Sequence, residues 1–149
     1  MISKILVPTD GSKTAKKAGV YAIGLAKQLH ASIVIMCVVD KRFMVSRTVL
    51  VEPSSRYVTE SIGDYQQEAA ERYAGEIKKL CGKKGVQSRI VIKQGHPVEE
   101  IVREAEKSKA GLIVMGSHGE SALAAATLGS VTYGVIHKDT TIPVLVVRR

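Results

Sequence analysis

Large aromatic side chains are almost missing from this chain. Its 149 residues include no tryptophan and one phenylalanine, although 45% of the residues are apolar. A core made from these residues must be aliphatic, as it is in many proteins whose parallel strands are buried on both faces. Apolar runs approaching the roughly 18 residues that span a bilayer are also missing, so the sequence predicts no membrane-spanning segment.

Cysteine is equally scarce, which argues against a disulfide scaffold. The two cysteines, Cys37 and Cys81, lack the close spacing of metal ligands, so no structural zinc is predicted. Cys37 lies in an apolar run and is interpreted as a core residue rather than a reactive one. The N-terminal stretch MISKILVPTD is typical of a strand and lacks the features of a signal peptide. Together these absences predict a cytoplasmic protein.

Acidic residues are outnumbered by basic ones, 14 to 22, which gives a formal net charge of +8. Such an excess favours anionic partners such as nucleotides, nucleic acids or acidic proteins. The basic residues are dispersed along the sequence, however, and no basic stretch is interleaved with aromatic residues that would stack on bases. We therefore interpret most of them as solvated helix faces and do not expect a nucleic-acid partner.

Short apolar runs alternate with amphipathic stretches through the whole sequence. Residues 40 to about 60 show no periodicity and are interpreted as a long, mobile loop. The alternation predicts one α/β domain over residues 1–149, with a five-stranded parallel, doubly wound (Rossmann-like) sheet in the order 3-2-1-4-5 and helices on both faces. Strands are predicted at residues 5–7, 33–39, 89–92, 112–115 and 143–147, and helices after Ser12, at about 65–80, from Pro97 and at about 130–138.

Two of the predicted strands end in unusual residues. The first ends in Pro8-Thr9-Asp10 and the fourth in Gly116-Ser117-His118-Gly119. In the order 3-2-1-4-5 these strands are neighbours at the point where the strand order reverses, which is where such sheets bind ligands. Glycine lets a ligand approach the backbone amides closely, and Gly129-Ser130 would present the amino end of the last helix to a phosphate. The residues between the two glycine sites would form a lid or rim.

A second interpretation is that these glycines only shape turns. A G-x-x-G pair occurs by chance, and turn glycines after strands are common. The sequence contains neither the G-x-x-x-x-G-K-[ST] loop nor the G-x-G-x-x-G fingerprint. Spacing alone therefore leaves phosphate binding and a plain structural turn both open.

Several longer motifs accompany the glycines. Gly116, Gly119, Gly129 and Ser130 form the pattern G-2x-G-9x-G-[ST]. The other motifs are VPTDGS at 7–12, the strand ending Val38-Val39-Asp40, VMGSHG at 114–119, GSVTYGVI at 129–136 and IPVLVV at 142–147. Together they extend over nearly the whole chain, and in this order they resemble the ATP-binding branch of the universal stress protein family.

The resemblance implies roles for individual residues. Near the adenine and ribose it places Pro8, Thr9, Asp10, Val38, Met115 and Gly116. Near the phosphates it places His118, Gly119, Gly129, Ser130 and Val131. It also implies Mg²⁺ or Mn²⁺, held mainly by phosphate oxygens and water. Two alternatives remain open from the residues themselves: Asp10 as a cap of the first helix, and His118 as an exposed turn residue.

Glu120 departs from the family pattern, which often has Arg or Lys just after the second glycine. A carboxylate repels phosphates unless a metal intervenes, so the sequence leaves ATP, ADP and AMP open as the preferred nucleotide.

The sequence therefore predicts an adenine-nucleotide-binding regulatory protein of the universal stress response type, in which the nucleotide acts as a conformational signal. The alternatives are a nucleotide-free dimeric interaction module and a slow ATPase. No candidate base or arginine finger stands out, so binding is preferred to catalysis. The apolar strand at 143–147, at the predicted sheet edge, favours a homodimer. Tyr65 and Tyr73 are expected on the core face of their helix.

Overall fold

A computed structural model describes residues 1–40, 56–118 and 128–149, the side chains of 56–62 excepted. Strands and helices alternate strictly through these ranges. No helix within them is both long enough and apolar enough to cross a membrane. The elements are β1 Lys4–Pro8, α1 Lys13–Leu29, β2 Ser32–Val39, α2 Arg56–Lys84, β3 Ser88–Gln94, α3 Pro97–Ser108, β4 Leu112–Gly116, α4 Ser130–His137 and β5 Val144–Val147.

The five strands form one parallel sheet in the order β3-β2-β1-β4-β5. β1 lies at its centre, where Ile5 pairs with Ile33 of β2 on one side and with Leu112 of β4 on the other. β5 lies at an edge and pairs with β4 alone among the described strands. The fold class and the strand order predicted from the sequence are therefore confirmed.

Aliphatic residues fill both sides of this sheet. Successive side chains of a strand point to opposite faces, so Ile5 and Val7 pack with residues of α1 and α2. Leu6 packs with residues of α3 and α4 on the other face. All three side chains of β1 are 0% exposed. This burial on both faces explains the uninterrupted apolar run, and it confirms the prediction that helices cover both faces.

The longest helix begins earlier than the sequence pattern predicts. α2 starts at Arg56, whereas periodic apolar residues first appear near Tyr65. Between these two positions the sequence contains β-branched residues and a glycine, which have low helix propensity and obscure the period. The rest of the predicted mobile loop, residues 41–55, lies outside the described residues.

Only one of the two α2 tyrosines expected at the core is partly buried. Tyr65 is 67% exposed, so that prediction was wrong. At 1.5 Å per residue the 29 residues of α2 extend about 43 Å, against roughly 26 Å for the eight residues of β2. The helix is therefore longer than the strand it packs on, and the first of its buried side chains described is that of Ala69. Tyr73 is half-buried and its ring covers Gly11, which has φ of 80° and where a Cβ would lie 2.5 Å from the ring.

Candidate functional site

The candidate site lies where β1 and β4 end side by side at the carboxyl edge of the sheet. After β1 the chain enters α1, which packs on one face. After β4 it reaches α4, which packs on the opposite face. Parallel sheets commonly bind ligands between two strand ends whose connections diverge in this way. The sequence predicts ligand binding at this position.

The turn after β1 is held by its own side chains. Thr9 is buried, and its N–H donates to the Met36 carbonyl at 2.8 Å, which extends the pairing with β2. Asp10 is exposed, and its Oδ1 accepts a hydrogen bond from the Ser12 N–H at 2.9 Å. Ser12 caps α1 through its Oγ, which accepts from the Ala15 N–H at 3.2 Å. The helix cap is therefore Ser12, and Asp10 presents a carboxylate at the strand end.

The first glycine of the motif is required by packing. A Cβ on Gly116 would lie 2.8 Å from the carbonyl carbon of Thr14 and 3.0 Å from the amide nitrogen of Ala15. These are backbone atoms, which cannot move aside as the end of a flexible side chain can. β4 and the start of α1 therefore approach this closely because residue 116 has no side chain. Gly116 has this structural role whether or not a ligand also approaches it.

Ser117 connects the turn after β4 to the elements around it. Its N–H donates to the Val147 carbonyl of β5 at 2.9 Å, and its carbonyl accepts from the Gly129 N–H at 2.7 Å. Its Oγ lies 2.7 Å from Nδ1 of His118. The hydroxyl of Thr14 in α1 donates to the His118 carbonyl. Two consecutive residues are thus bound to α1, to β5 and to the start of α4.

The imidazole of His118 is half-buried, with one of its nitrogens engaged by Ser117. Its Nε2 is buried and has no hydrogen-bond partner among the residues that the structure describes. Leaving a buried polar atom without a partner is energetically unfavourable. When the Ser117 hydroxyl donates to Nδ1, the proton resides on Nε2, which then becomes a hydrogen-bond donor. The geometry therefore orients the ring through Nδ1 and leaves Nε2 without a partner among the described residues.

The amino end of α4 lies next to the same turn. Gly129 is the N-cap residue, and no side chain of the described residues forms a capping hydrogen bond with the helix. Thr132 in the first turn is buried, and its Oγ1 donates to the Gly116 carbonyl at 2.8 Å. Ser130 and Val131 are the first two helical residues. An uncapped helix start offers N–H groups and partial positive charge, which together favour an anion.

Three of the predicted site residues belong to one apolar cluster at this edge. Val38 and Val131 are partly buried against it, whereas Met115 is 4% exposed and lies within it. Because the Met115 side chain is in the core, only its backbone is available to a ligand. Pro8, at the end of β1, is buried as well. The cluster offers an apolar surface next to the polar turns.

Some predicted features lie outside the described residues. These are Gly119, Glu120 and the predicted lid up to residue 127. Within the ranges 1–40, 56–118 and 128–149, no group of three or more His, Cys, Asp or Glu residues is placed to hold a metal ion. A divalent cation at this site would therefore depend on oxygens of the ligand and of water.

Cys37 is a core residue in β2, as the sequence predicted, and is 5% exposed. Burial, with the negative charge of Asp10 as a second cause, raises the pKa of the Cys37 thiol to about 11. The thiol is therefore protonated at neutral pH, and a protonated thiol is a poor nucleophile.

Sequence reasoning missed three hydroxyl residues that organise the site. Thr14, Ser117 and Thr132 all bind the turn after β4 or its neighbouring strand end. Ser117 lies inside the glycine motif, and a closer look at the non-glycine positions of that motif would have found it. Thr14 is 104 residues from its partner His118, so no local pattern identifies it.

Comparison with known proteins agrees with this architecture. The sequence profile of the Universal stress protein family matches residues 1–148. Universal stress protein MJ0531 of Methanocaldococcus jannaschii is 38% identical over 149 residues, with 100% of this chain and 84% of that protein covered. The solved structure of MJ0577, from the same organism, is similar with a TM-score of 0.84 and 34% identity, covering 100% of this chain and 97% of that chain. A universal stress protein solved in complex with cAMP has a TM-score of 0.65 and 25% identity, covering 99% and 97% of the two chains. The chain thus belongs to the universal stress protein family.

Proposed function

We propose that this chain binds an adenine nucleotide at the carboxyl edge and acts as a regulatory protein of the stress response, with the nucleotide as a conformational signal. The observation that carries this proposal is the 2.7 Å hydrogen bond from the Gly129 N–H to the Ser117 carbonyl. It holds two anion-binding features together, namely the unpartnered Nε2 of His118 and the uncapped start of α4. The relative in complex with cAMP supports an adenine nucleotide as the occupant.

In this proposal the phosphates lie between His118 and α4. The Nε2–H of His118 donates to a phosphate oxygen from one side, and the amides of Ser130 and Val131 approach from the other. Gly119 and Gly129 supply the remaining backbone of the motif. The donors of α4 are backbone N–H groups, and the His118 ring is oriented by Ser117. Such preorganised donors lose little conformational entropy on binding.

The base and ribose lie over the ends of β1 and β2 in the same proposal. Val38 meets the adenine edge through its backbone, above the apolar cluster that its side chain joins. The exposed carboxylate of Asp10 accepts hydrogen bonds from ribose hydroxyls. The other contacts come from the backbone of Pro8, Thr9, Met115 and Gly116.

Mg²⁺ or Mn²⁺ accompanies the phosphates in this arrangement. Phosphate oxygens and water supply most of its ligands, since the described residues contain no metal-binding cluster. Glu120 directly follows the second glycine, and its negative charge opposes a triphosphate that lacks a bound cation. The preference among ATP, ADP and AMP is therefore an outcome of the experiment.

A thermal-shift titration of nucleotide-stripped protein tests the proposal, with Mg-ATP, Mg-ADP, AMP and GTP as ligands. A ligand at a hundred times its Kd adds about 2.7 kcal/mol to the free energy of unfolding. For a chain of this size that should raise Tm by roughly 5 to 10 °C. We expect adenine nucleotides to raise Tm and GTP to leave it unchanged. No shift at millimolar ATP would contradict nucleotide binding and favour the nucleotide-free interaction module. Phosphate release from the same samples measures any slow hydrolysis.

The proposal includes a homodimer formed through β5. Val144, Leu145 and Val146 of this edge strand remain only half-buried. In the neighbouring α4, Tyr133 and Ile136 are exposed. An apolar strand with an unpaired edge favours pairing with a second copy. Sedimentation equilibrium at micromolar concentration should give twice the 16.0 kDa chain mass, and a monomer mass would contradict this part of the proposal.

We also propose that the protein acts in the cytoplasm. Cys37 and Cys81 are both free and buried. Free thiols without a disulfide partner are typical of proteins in a reducing compartment. Cell fractionation with an antibody against the chain tests this location.

A further inference from the structure

Lysines that are dispersed in the sequence converge at the amino edge of the sheet, opposite the candidate nucleotide site. In a parallel sheet all strands begin at one edge, and the helices that connect them run back and end there. The exposed acidic residues at these helix ends are Glu106 and Asp139, so this edge carries most of the net charge of +8. The exposed basic residues in or next to the last two turns of α1 to α4 are Lys27, His30, Lys78, Lys79, Lys83, Lys84, Arg103, Lys107, Lys109, His137 and Lys138.

Part of this edge is concave. A groove of about 540 Å³ lies between the ends of α1 and α2 and the starts of the first three strands. Lys27 and His30, at the end of α1, and Lys84, at the end of α2, line it. The groove, called the amino-edge groove below, therefore brings cations from two helices around one space. Neutral hydrogen-bonding side chains also line it, from Ser3, Ser32 and Gln87.

The lysines of the amino-edge groove are available to a ligand. Lys27 and Lys84 are exposed and form no ion pair within the described part of the chain, whereas Lys16 pairs with Glu76 at 3.1 Å. A cation near a helix end is favoured by the helix dipole, which accounts for each lysine separately. The dipole does not account for the cations of two helices lining the same groove.

We propose that the amino-edge groove binds the sugar–phosphate backbone of a nucleic acid. Flexible ammonium groups suit successive phosphates and need no base contacts. The neutral side chains of the groove suit the hydroxyl and ester oxygens between those phosphates. A lipid surface fits less well, because the groove is concave and the chain has no tryptophan to insert at a membrane interface. The dispersal of the lysines in the sequence argued against a nucleic-acid partner, but the strand order brings them to one edge.

Two double variants with equal loss of charge test the proposal. Lys27→Gln with Lys84→Gln removes two charges from the groove, and Lys17→Gln with Lys93→Gln removes two from exposed positions outside it. Fluorescence anisotropy of a labelled single-stranded oligonucleotide gives the affinity over a range of salt concentrations. The plot of log K against log salt has a negative slope, and each lost phosphate contact reduces its magnitude by about 0.7. For the groove variant we expect the magnitude of this slope to fall by about 1.4 and the oligonucleotide to bind roughly tenfold more weakly at 0.1 M salt.

The control variant should keep the slope and the affinity of the unmodified chain. An equal loss in both double variants would overturn the proposal, since net charge and not the groove would then determine binding. An absence of oligonucleotide binding at low salt would also overturn it. Titrations with inorganic polyphosphate and with phosphatidylserine vesicles run in parallel. A groove-dependent response to either one, without a response to the oligonucleotide, would assign the groove to that anion and reject nucleic acid.

This inference does not depend on the proposed nucleotide site. The groove and the site lie at opposite edges of the sheet, so the titrations are repeated with saturating ATP and the oligonucleotide affinity should be unchanged. Thermal unfolding of each variant shows that it is folded. Failure of nucleotide binding and failure of nucleic-acid binding are thus separate results.

Discussion

At the carboxyl edge of the sheet, polar side chains of the candidate site are bound to the groups around them, whereas the lysines that line the amino-edge groove are exposed to solvent. Asp10, Ser117 and His118 each take part in a side-chain hydrogen bond of 2.9 Å or less. Lys27 and Lys84 form no ion pair in the described ranges. The first arrangement fixes the direction of each donor and acceptor and selects a ligand by geometry. The second follows the charge of a ligand and tolerates many shapes.

Both edges arise from one topology. The helices begin at the carboxyl edge with unpaired N–H groups and end at the amino edge with unpaired carbonyls. The helix dipole therefore favours anions directly at the first edge and favours lysines at the second. A single parallel arrangement produces two surfaces that attract anions, by helix starts at one and by side chains at the other.

The fixed geometry of the carboxyl edge depends most strongly on Gly116. Gly116→Ala should lower the free energy of unfolding by about 2 to 3 kcal/mol, because its Cβ would lie 2.8 Å from the backbone of Thr14. Gly75→Ala is the matched control, since Gly75 lies within α2 and a Cβ there meets open space. That substitution should raise the free energy of unfolding by about 0.5 to 1 kcal/mol. Urea denaturation measures the free energy of unfolding of both variants. An unchanged stability of Gly116→Ala would show that the backbone around residue 116 shifts at little energetic cost.

The two cysteines provide a second contrast, through the pH dependence of stability. The pKa of Cys37 in the folded chain is about 11, above its ordinary value of 9.0. As pH rises, the unfolded chain therefore loses the thiol proton at a lower pH than the folded chain does. The contribution of the protonated thiol to the free energy of unfolding is fully present below pH 9 and is lost as pH rises toward 11. Two pKa units correspond to about 2.7 kcal/mol. In urea denaturation, the stability difference between the unmodified chain and Cys37→Ala should shrink by about 2 kcal/mol between pH 8 and pH 10.5.

Cys81 in α2 serves as the comparison for that experiment. Burial raises the pKa of the Cys81 thiol, but its hydrogen bond with Ser88 acts in the opposite direction. Cys81→Ala should therefore show a change of the same sign and smaller size. A stability difference for Cys37→Ala that is constant with pH would contradict the raised pKa.

The smallest expected effect concerns the donor at the nucleotide site. His118→Ala should weaken nucleotide binding about tenfold, because it removes one hydrogen bond to a charged phosphate. His96→Ala is the control, since His96 is an exposed residue at the start of α3, at the same edge, and makes no capping hydrogen bond through its side chain. Isothermal titration calorimetry measures both affinities. Equal affinities for the two variants would place the phosphates away from Nε2 of His118.

The fold was predictable because its central strands are buried on both faces. The run Ile5-Leu6-Val7 has no polar alternation for this reason, and strict alternation with amphipathic helices then allows few topologies. The start of α2 at Arg56 was not predictable, since no apolar period marks it. Helix propensity and pattern are weak where a helix is longer than the strand that it packs on.

The site was predictable only in outline. The order of the strands placed Asp10 and Gly116 at neighbouring strand ends, as the sequence suggested. The bond from Thr14 to His118, and the contact that requires glycine at 116, join residues about a hundred positions apart. The lysines at the amino edge are likewise far apart in the sequence and are brought together by the fold. Each of these features follows from strand order, and none is visible in a local stretch of sequence.

The backbone hydrogen bond from the Ser117 N–H to β5 also determines a rate that can be measured. This N–H exchanges with deuterium in the solvent only when the bond to the Val147 carbonyl opens. Val147 is the last residue of β5, the strand at the edge of the sheet. The exchange rate of this single amide therefore measures how often the bond between the turn after β4 and the end of the edge strand opens, at an atom next to the candidate nucleotide site.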